Sequence, residues 1–198
     1  MADTKRTKNT ILTTFLQSGQ ASGSFIRQRF RDIIESVAHS RIVTEKGFMD
    51  YNDAETTGSP IALNAGVVTK LTNDGAGSNT LSTFKPDTVT DLWDVVGDQL
   101  NFSDLKLGDC VLLRIDVTVT TLSVNTDLDM TIVLDVGGID AILHVDRESF
   151  KSSGTYEFVV SFPIYMGQEN IRANPAEIKM EADKNSTVVV NGWAIFVQ

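Results

Sequence analysis

Through most of this chain apolar and polar residues alternate with a period of two. The clearest run is "CVLLRIDVTVTTL", residues 110–122, where Leu113, Ile115, Val117 and Val119 share one face and Arg114, Asp116, Thr118 and Thr120 the other. Successive side chains of an extended strand point to opposite faces, so this run predicts a half-buried strand. After "SVNT" the pattern returns in "DLDMTIVLDV", with Leu128, Met130, Ile132, Leu134 and Val136 inward. The two runs predict an antiparallel hairpin. "AILHV", "TYEFVVSFPIYM", "AEIKMEA" and "STVVVNGWAIFVQ" continue the series, separated by "GGID", "KSSG", "GQENIRANP" and "DKN". Those separators are rich in turn formers. "PIALNAGVVTKL" adds two short strands broken at 64–66. About eight short strands punctuated by turns predict a mainly β fold, an antiparallel jelly-roll sandwich.

The period changes in "SGSFIRQRFRDIIESV", residues 22–37. Phe25, Ile26, Phe30, Ile33, Ile34 and Val37 recur at helical steps and make one apolar face, with Ser22 or Ser24 as N-cap. Arg27, Arg29 and Arg31 lie near the start, where they oppose the helix dipole, so helix stability did not select them. The segment reads as an anchor helix. Phe25, Ile26, Phe30 and Ile33 would bury against a partner, and Arg27 and Arg31 would pair with its carboxylates. "EKGFMDYNDAETTGSP", residues 45–60, has the composition of a linker. The expected organisation is an N-terminal arm and helix over 1–47 and a sandwich over 48–198.

Charge sharpens this division. Residues 1–31 carry Lys5, Arg6, Lys8, Arg27, Arg29 and Arg31 against Asp3, a balance of +5, which leaves −14 for the rest of a chain whose net charge is −9. An acidic body repels phosphate, so no nucleic-acid partner is expected. A basic tip on an acidic body favours docking to an acidic surface. No run approaches the roughly 18 consecutive apolar residues of a membrane span, and "ILTTFLQSGQ" lacks the centre and cleavage site of a signal peptide. No membrane partner and no secretion by that route are expected.

Candidate chemistry is sparse. The two histidines, His39 and His144, stand in different segments, and His144 in "AILHVD" reads as a strand histidine satisfied by a local hydrogen bond. Neither a catalytic triad nor a zinc set can be assembled from these residues and the single Cys110, which reads as a packed thiol. Asp127 and Asp129 point one way from a strand but lack the spaced ligands of a calcium loop. The sequons at Asn101 and Asn185 read as chance matches. The chain is therefore not expected to be an enzyme or to hold a cofactor or metal. The apolar set Trp93, Leu100, Phe102, Leu105 and Leu107 predicts a cover for one end of the sandwich or a subunit contact. The strand ending the chain is apolar on both faces, Val188, Val190, Ala194 and Phe196 on one and Val189, Ile195 and Val197 on the other, with a bulge near 191–192. That strand predicts a symmetric oligomer, with Trp93, Val190, Trp193 and Phe196 as its interface.

Taken together, "RDIIESV", "PIALNAGVVTKLTNDGAG", "VTDLWD", "LKLGDCVLLRIDVTVTT" and "VNGWAIFV" resemble a group of tailed-phage structural proteins. These are small virion proteins with a short N-terminal helix before a jelly-roll domain. The resemblance spans nearly the whole chain and rests on structural motifs. It implies a virion location and a homotrimer like those of tumour-necrosis-factor-like jelly rolls. It also implies docking through the arm to capsid or tail proteins, as capsid decoration or head fibre. The alternative it leaves is a tail-fibre or receptor-binding tip that contacts a host glycan or protein.

Overall fold

The computed structural model describes residues 46–198. The chain divides into two compact units, Met1–Thr44 and Glu45–Gln198. The proposed anchor residues Phe25, Ile26, Arg27, Phe30, Arg31 and Ile33 lie outside the described residues.

The second unit is mainly β and antiparallel. Its strands are β1 (Gly47–Asn52), β2 (Ile61–Leu63), β3 (Thr69–Lys70), β4 (Trp93–Asp94), β5 (Gln99–Leu100), β6 (Cys110–Thr121), β7 (Thr126–Leu134), β8 (Ala141–Phe150), β9 (Gly154–Tyr165), β10 (Glu177–Ala182) and β11 (Ser186–Val197). Two short helices, α1 (Glu55–Gly58) and α2 (Glu169–Ala173), interrupt them. One sheet runs β1-β11-β6-β9, with β2 also on β11; the second runs β3-β10-β7-β8; β4 and β5 pair separately.

Between the sheets lies one core. The alternation of β6 holds as read: Leu113, Ile115, Val117 and Val119 are fully buried. Facing them from the second sheet are Leu128, Met130, Ile132, Ile178 and Met180, also buried. The predicted β6–β7 hairpin is corrected. β6 pairs along its whole length with β9 and along most of it with β11, whereas β7 pairs with β8 and β10. Both strands offer one apolar face, and the chain at 122–125 crosses between sheets so that those faces oppose each other across the core. Period-two alternation reports which side is buried and says nothing of which strand lies alongside.

The linker reading of 45–60 is also corrected. Gly47–Asn52 is a strand registered on β11 from Gly47↔Val197 to Asn52↔Gly192. Met49 and Tyr51 enter the core. β2 takes up the pairing again at Ile61↔Val188. Between them β11 bulges, its register shifting between Val190 and Gly192. Gly192 is needed there because a Cβ would lie 2.7 Å from the Tyr51 carbonyl oxygen. The bulge changes which residues face in: Val188, Val190, Trp193, Ile195 and Val197 are buried on the core side. The first strand of the body thus starts at Gly47, one residue before the expected boundary.

Residues 71–109 close the β1/β3 side of the sandwich. Leu71, Leu92, Trp93, Leu100 and Phe102 are buried against the core, as the cover reading anticipated, while Leu107 is exposed. Asn73 fastens the segment: its side-chain amide donates to the Tyr51 carbonyl at 2.9 Å, and its own carbonyl accepts the Trp93 indole N–H at 2.8 Å. The Tyr51 hydroxyl donates to Asp91 and accepts the Leu92 N–H at 3.0 Å. Burial and the bond to Asp91 push that phenol well above its ordinary range, so it stays a neutral donor.

Candidate interaction face

Three of the four residues expected at a subunit interface are interior. Trp93, Val190 and Trp193 are buried within one chain, the two indoles meeting edge to face with centroids 5.4 Å apart. Their side chains offer no surface to a second copy. The bulge is the reason for Trp193: it reverses the inward set of β11 beyond Val190, which sequence alternation alone places on the other side. Phe196 is different. It lies on the outer face of the first sheet, half-buried.

Around Phe196 the registers assemble an apolar row across the sheet. Phe48 of β1 pairs with Phe196 of β11, Phe196 with Leu112 of β6, and Leu112 with Pro163 of β9. Beyond β1 the row gains Phe84, whose ring stacks on Phe48 at 5.4 Å, while Phe48 stacks on Phe196 at 5.7 Å. The 81–84 segment is held there by backbone bonds, Phe48 N–H to the Phe84 carbonyl at 3.0 Å and Asp50 N–H to the Leu81 carbonyl at 2.8 Å. Gly47 permits this approach, since a Cβ there would meet the Phe84 carbonyl oxygen at 2.4 Å. Phe84 is 58% exposed. Four strand positions at about 4.8 Å spacing, with Phe84 beside the first, make the row about 20 Å long.

A second row lies two residues along each strand: Asp50, Ala194, Arg114 and Ser161. Asp50 is half-buried, and that desolvation pushes its carboxyl above the ordinary range against the opposing pull of Arg114 and the Asn52 amide, which donates to it at 3.2 Å. Arg114 reaches Asp116 at 3.0 Å, and Asp116 also accepts from the Asn191 amide. Asp50 and Arg114 therefore sit two strands apart, separated by the small, nearly buried Ala194.

The outer face of the second sheet is of another kind. Asp129 accepts from Arg147 at 2.8 Å and from His144 Nδ1 at 3.0 Å. Its burial works against ionisation, but those two donors prevail and hold its carboxyl below the ordinary range. Glu177 is bridged by Lys179 at 2.8 Å and Lys70 at 3.4 Å. Asp127 accepts from the Ser149 hydroxyl and the Asp183 carboxylate accepts the Asp127 N–H. These carboxylates are committed to neighbours within the sheet, and His144 is satisfied locally as its sequence context predicted. Cys110 is half-buried at the start of β6 rather than in the core. Among the described residues no group of three or more His, Cys, Asp or Glu could hold a metal ion. No helix among them is long and apolar enough to cross a membrane.

Of the apolar row, sequence reading identified Phe196 alone. Phe48 fell in the presumed linker, Phe84 in no expected element, and Leu112 and Pro163 on strands whose neighbours were not known. No protein-family model matches the chain, and no curated protein is significantly similar to it.

Proposed function

We propose that this chain is a structural protein of a tailed-phage particle, a jelly-roll subunit that docks through its N-terminal segment as capsid decoration or head fibre. The observation that carries this reading is strand order. With the three-residue β2, which only continues the pairing of β1 on β11, set aside, β1, β3, β6, β7, β8, β9, β10 and β11 number first to eighth in chain order. One sheet then runs first, eighth, third, sixth, and the other second, seventh, fourth, fifth. That order supports the jelly-roll reading, since wrapping one long hairpin into a barrel-like sandwich would produce it. Four of the five stretches that resemble phage structural proteins fall on the described residues, at β2 and β3, on β4, along β6 and along β11, while "RDIIESV" lies outside them.

Fold alone does not assign function, so the site must contribute. Its chemistry is apolar contact: an aromatic row on one outer face and paired charges on the other. Such a body suits assembly rather than turnover. Immunogold labelling tests the reading on particles made from the genome that encodes the chain. Label at regular positions on the head supports it. Label on fibre tips moves the protein to the receptor-binding alternative, and particles without label overturn the reading.

A further inference from the structure

We propose that the outer face of the β1-β11-β6-β9 sheet binds a second copy of this chain about a two-fold axis that runs along β11. The inference is independent of the phage reading.

Charge selects the occupant. Residues 46–198 carry Lys and Arg at ten positions and Asp and Glu at twenty-two, a balance of −12. Two such bodies repel unless they meet over a face that is neutral and internally matched. The aromatic row contains no charge, the adjacent row contains one acid and one base, Asp50 and Arg114, and the next outward position of β6 holds Asp116, bridged to Arg114 within the chain at 3.0 Å. A two-fold axis along β11 lays each strand of one copy over its mirror position in the other. β11 then faces β11, and β1 faces β6. Phe196 meets Phe196 of the second copy, Phe48 meets Leu112, and Phe84 meets Pro163. In the next row Ala194 meets Ala194, leaving room at the centre, and Asp50 meets Arg114 twice. In these two rows apolar thus lies on apolar, and the acid on the base. A face that fits itself under rotation is what an isologous contact requires. Sheets packed in this aligned fashion sit about 10 Å apart and cross at about 30°, so the match holds best near Phe196 and Ala194 and loosens toward the edges.

The edges of the sandwich point the same way. β9 carries Pro163, and β8 presents Asp146, Arg147 and Glu148 beside a register shift at 130–131. Proline, charge and bulges are the devices that guard a sheet edge from pairing with another chain.

The test uses the full chain. Sedimentation velocity at micromolar concentration is expected to give twice the 21.7 kDa chain mass. Asp50→Arg and Arg114→Asp each place like charges opposite one another in a homodimer, and each is expected to weaken self-association roughly tenfold or more. Mixing the two variants restores it, because in the mixed dimer both facing pairs are again opposite in sign. An effect confined to one chain cannot be rescued by mixing, so the mixture separates the interface from a folding defect. Phe196→Ser, with its far- and near-ultraviolet circular dichroism retained, is expected to be monomeric. A wild-type chain that sediments as a monomer overturns the inference, as does a trimer whose mass neither charge variant alters. Failure of the mixed variants to associate overturns the two-fold arrangement.

Discussion

Thr56 occupies a rung of the β11 ladder that no strand fills: its hydroxyl accepts the Val190 N–H at 2.9 Å. The same hydroxyl donates to Asp53 at 2.6 Å, and the Asp53 carboxylate takes the Thr56 N–H at 2.7 Å and the Asp74 N–H at 2.9 Å. β1 has ended and β2 has not begun, so without Thr56 the bulged strand would carry an unpaired buried donor.

Thr56→Val keeps the shape and removes the oxygen. Leaving the Val190 N–H unsatisfied and Asp53 one donor short is expected to cost about 1–3 kcal/mol, and Thr56→Ser much less. Urea unfolding midpoints of the two variants decide it. Equal midpoints would make the hydroxyl irrelevant.

This arrangement also shows where sequence reading stops. Thr56 sits in "NDAETTGSP", whose Gly, Asp and Pro are also what a linker contains. Composition cannot distinguish a free connector from a plug fitted to a bulge about 130 residues away. Alternation found β6 and β7 with their inward faces, and β11 as a strand, because burial of one face is a local property. Partnership is a property of the whole sheet, so the β6–β7 hairpin was misread. The row from Phe84 to Pro163 was invisible for the same reason, since it draws one residue from each of five distant segments.

The two tryptophans predict an asymmetry. Trp93 donates its indole N–H to the buried Asn73 carbonyl, whereas Trp193 Nε1 has no hydrogen-bond partner among the described residues. Phenylalanine at either position leaves a cavity. At 93 it also strands a buried acceptor. Trp93→Phe is therefore expected to destabilise by about 1–2 kcal/mol more than Trp193→Phe. Calorimetric melting of both variants measures the difference, and a larger loss at 193 would refute the account.

Asp135 predicts acid sensitivity. It is buried at the β7–β8 turn in the left-handed region, φ 58°, and accepts from the Asn170 and Asn174 amides and from the Ile139 N–H at 3.0 Å. Those bonds hold its carboxyl below the ordinary 3.8. A depressed carboxyl contributes stability that is fully present above the unfolded value and is lost as pH falls through the folded one. Unfolding free energy measured downward from pH 5 should therefore fall below about pH 4. Asp135→Asn should flatten that fall while lowering stability at neutral pH. A variant with an unchanged acid slope would show that the turn does not report through this group.

The last expectation concerns where the body begins. If Gly47–Asn52 were a linker, residues 53–198 would fold as well as 46–198. Yet Met49 and Tyr51 are buried, and burying each contributes on the order of 2–3 kcal/mol. Tyr51 also holds Leu92, Asp91 and Asn73, so the cover over 71–109 is tied to this strand. Its loss would expose the outer side of β11 and release the cover together. Typical domains are stable by about 5–15 kcal/mol, so two such losses remove about a third of that margin or more, before the released cover is counted. Residues 46–198 should melt cooperatively, and residues 53–198 should be unfolded or aggregated by circular dichroism and light scattering. If the shorter fragment melts at the same temperature, β1 is an accessory. The two buried side chains and their fastened cover argue that it is a founding strand.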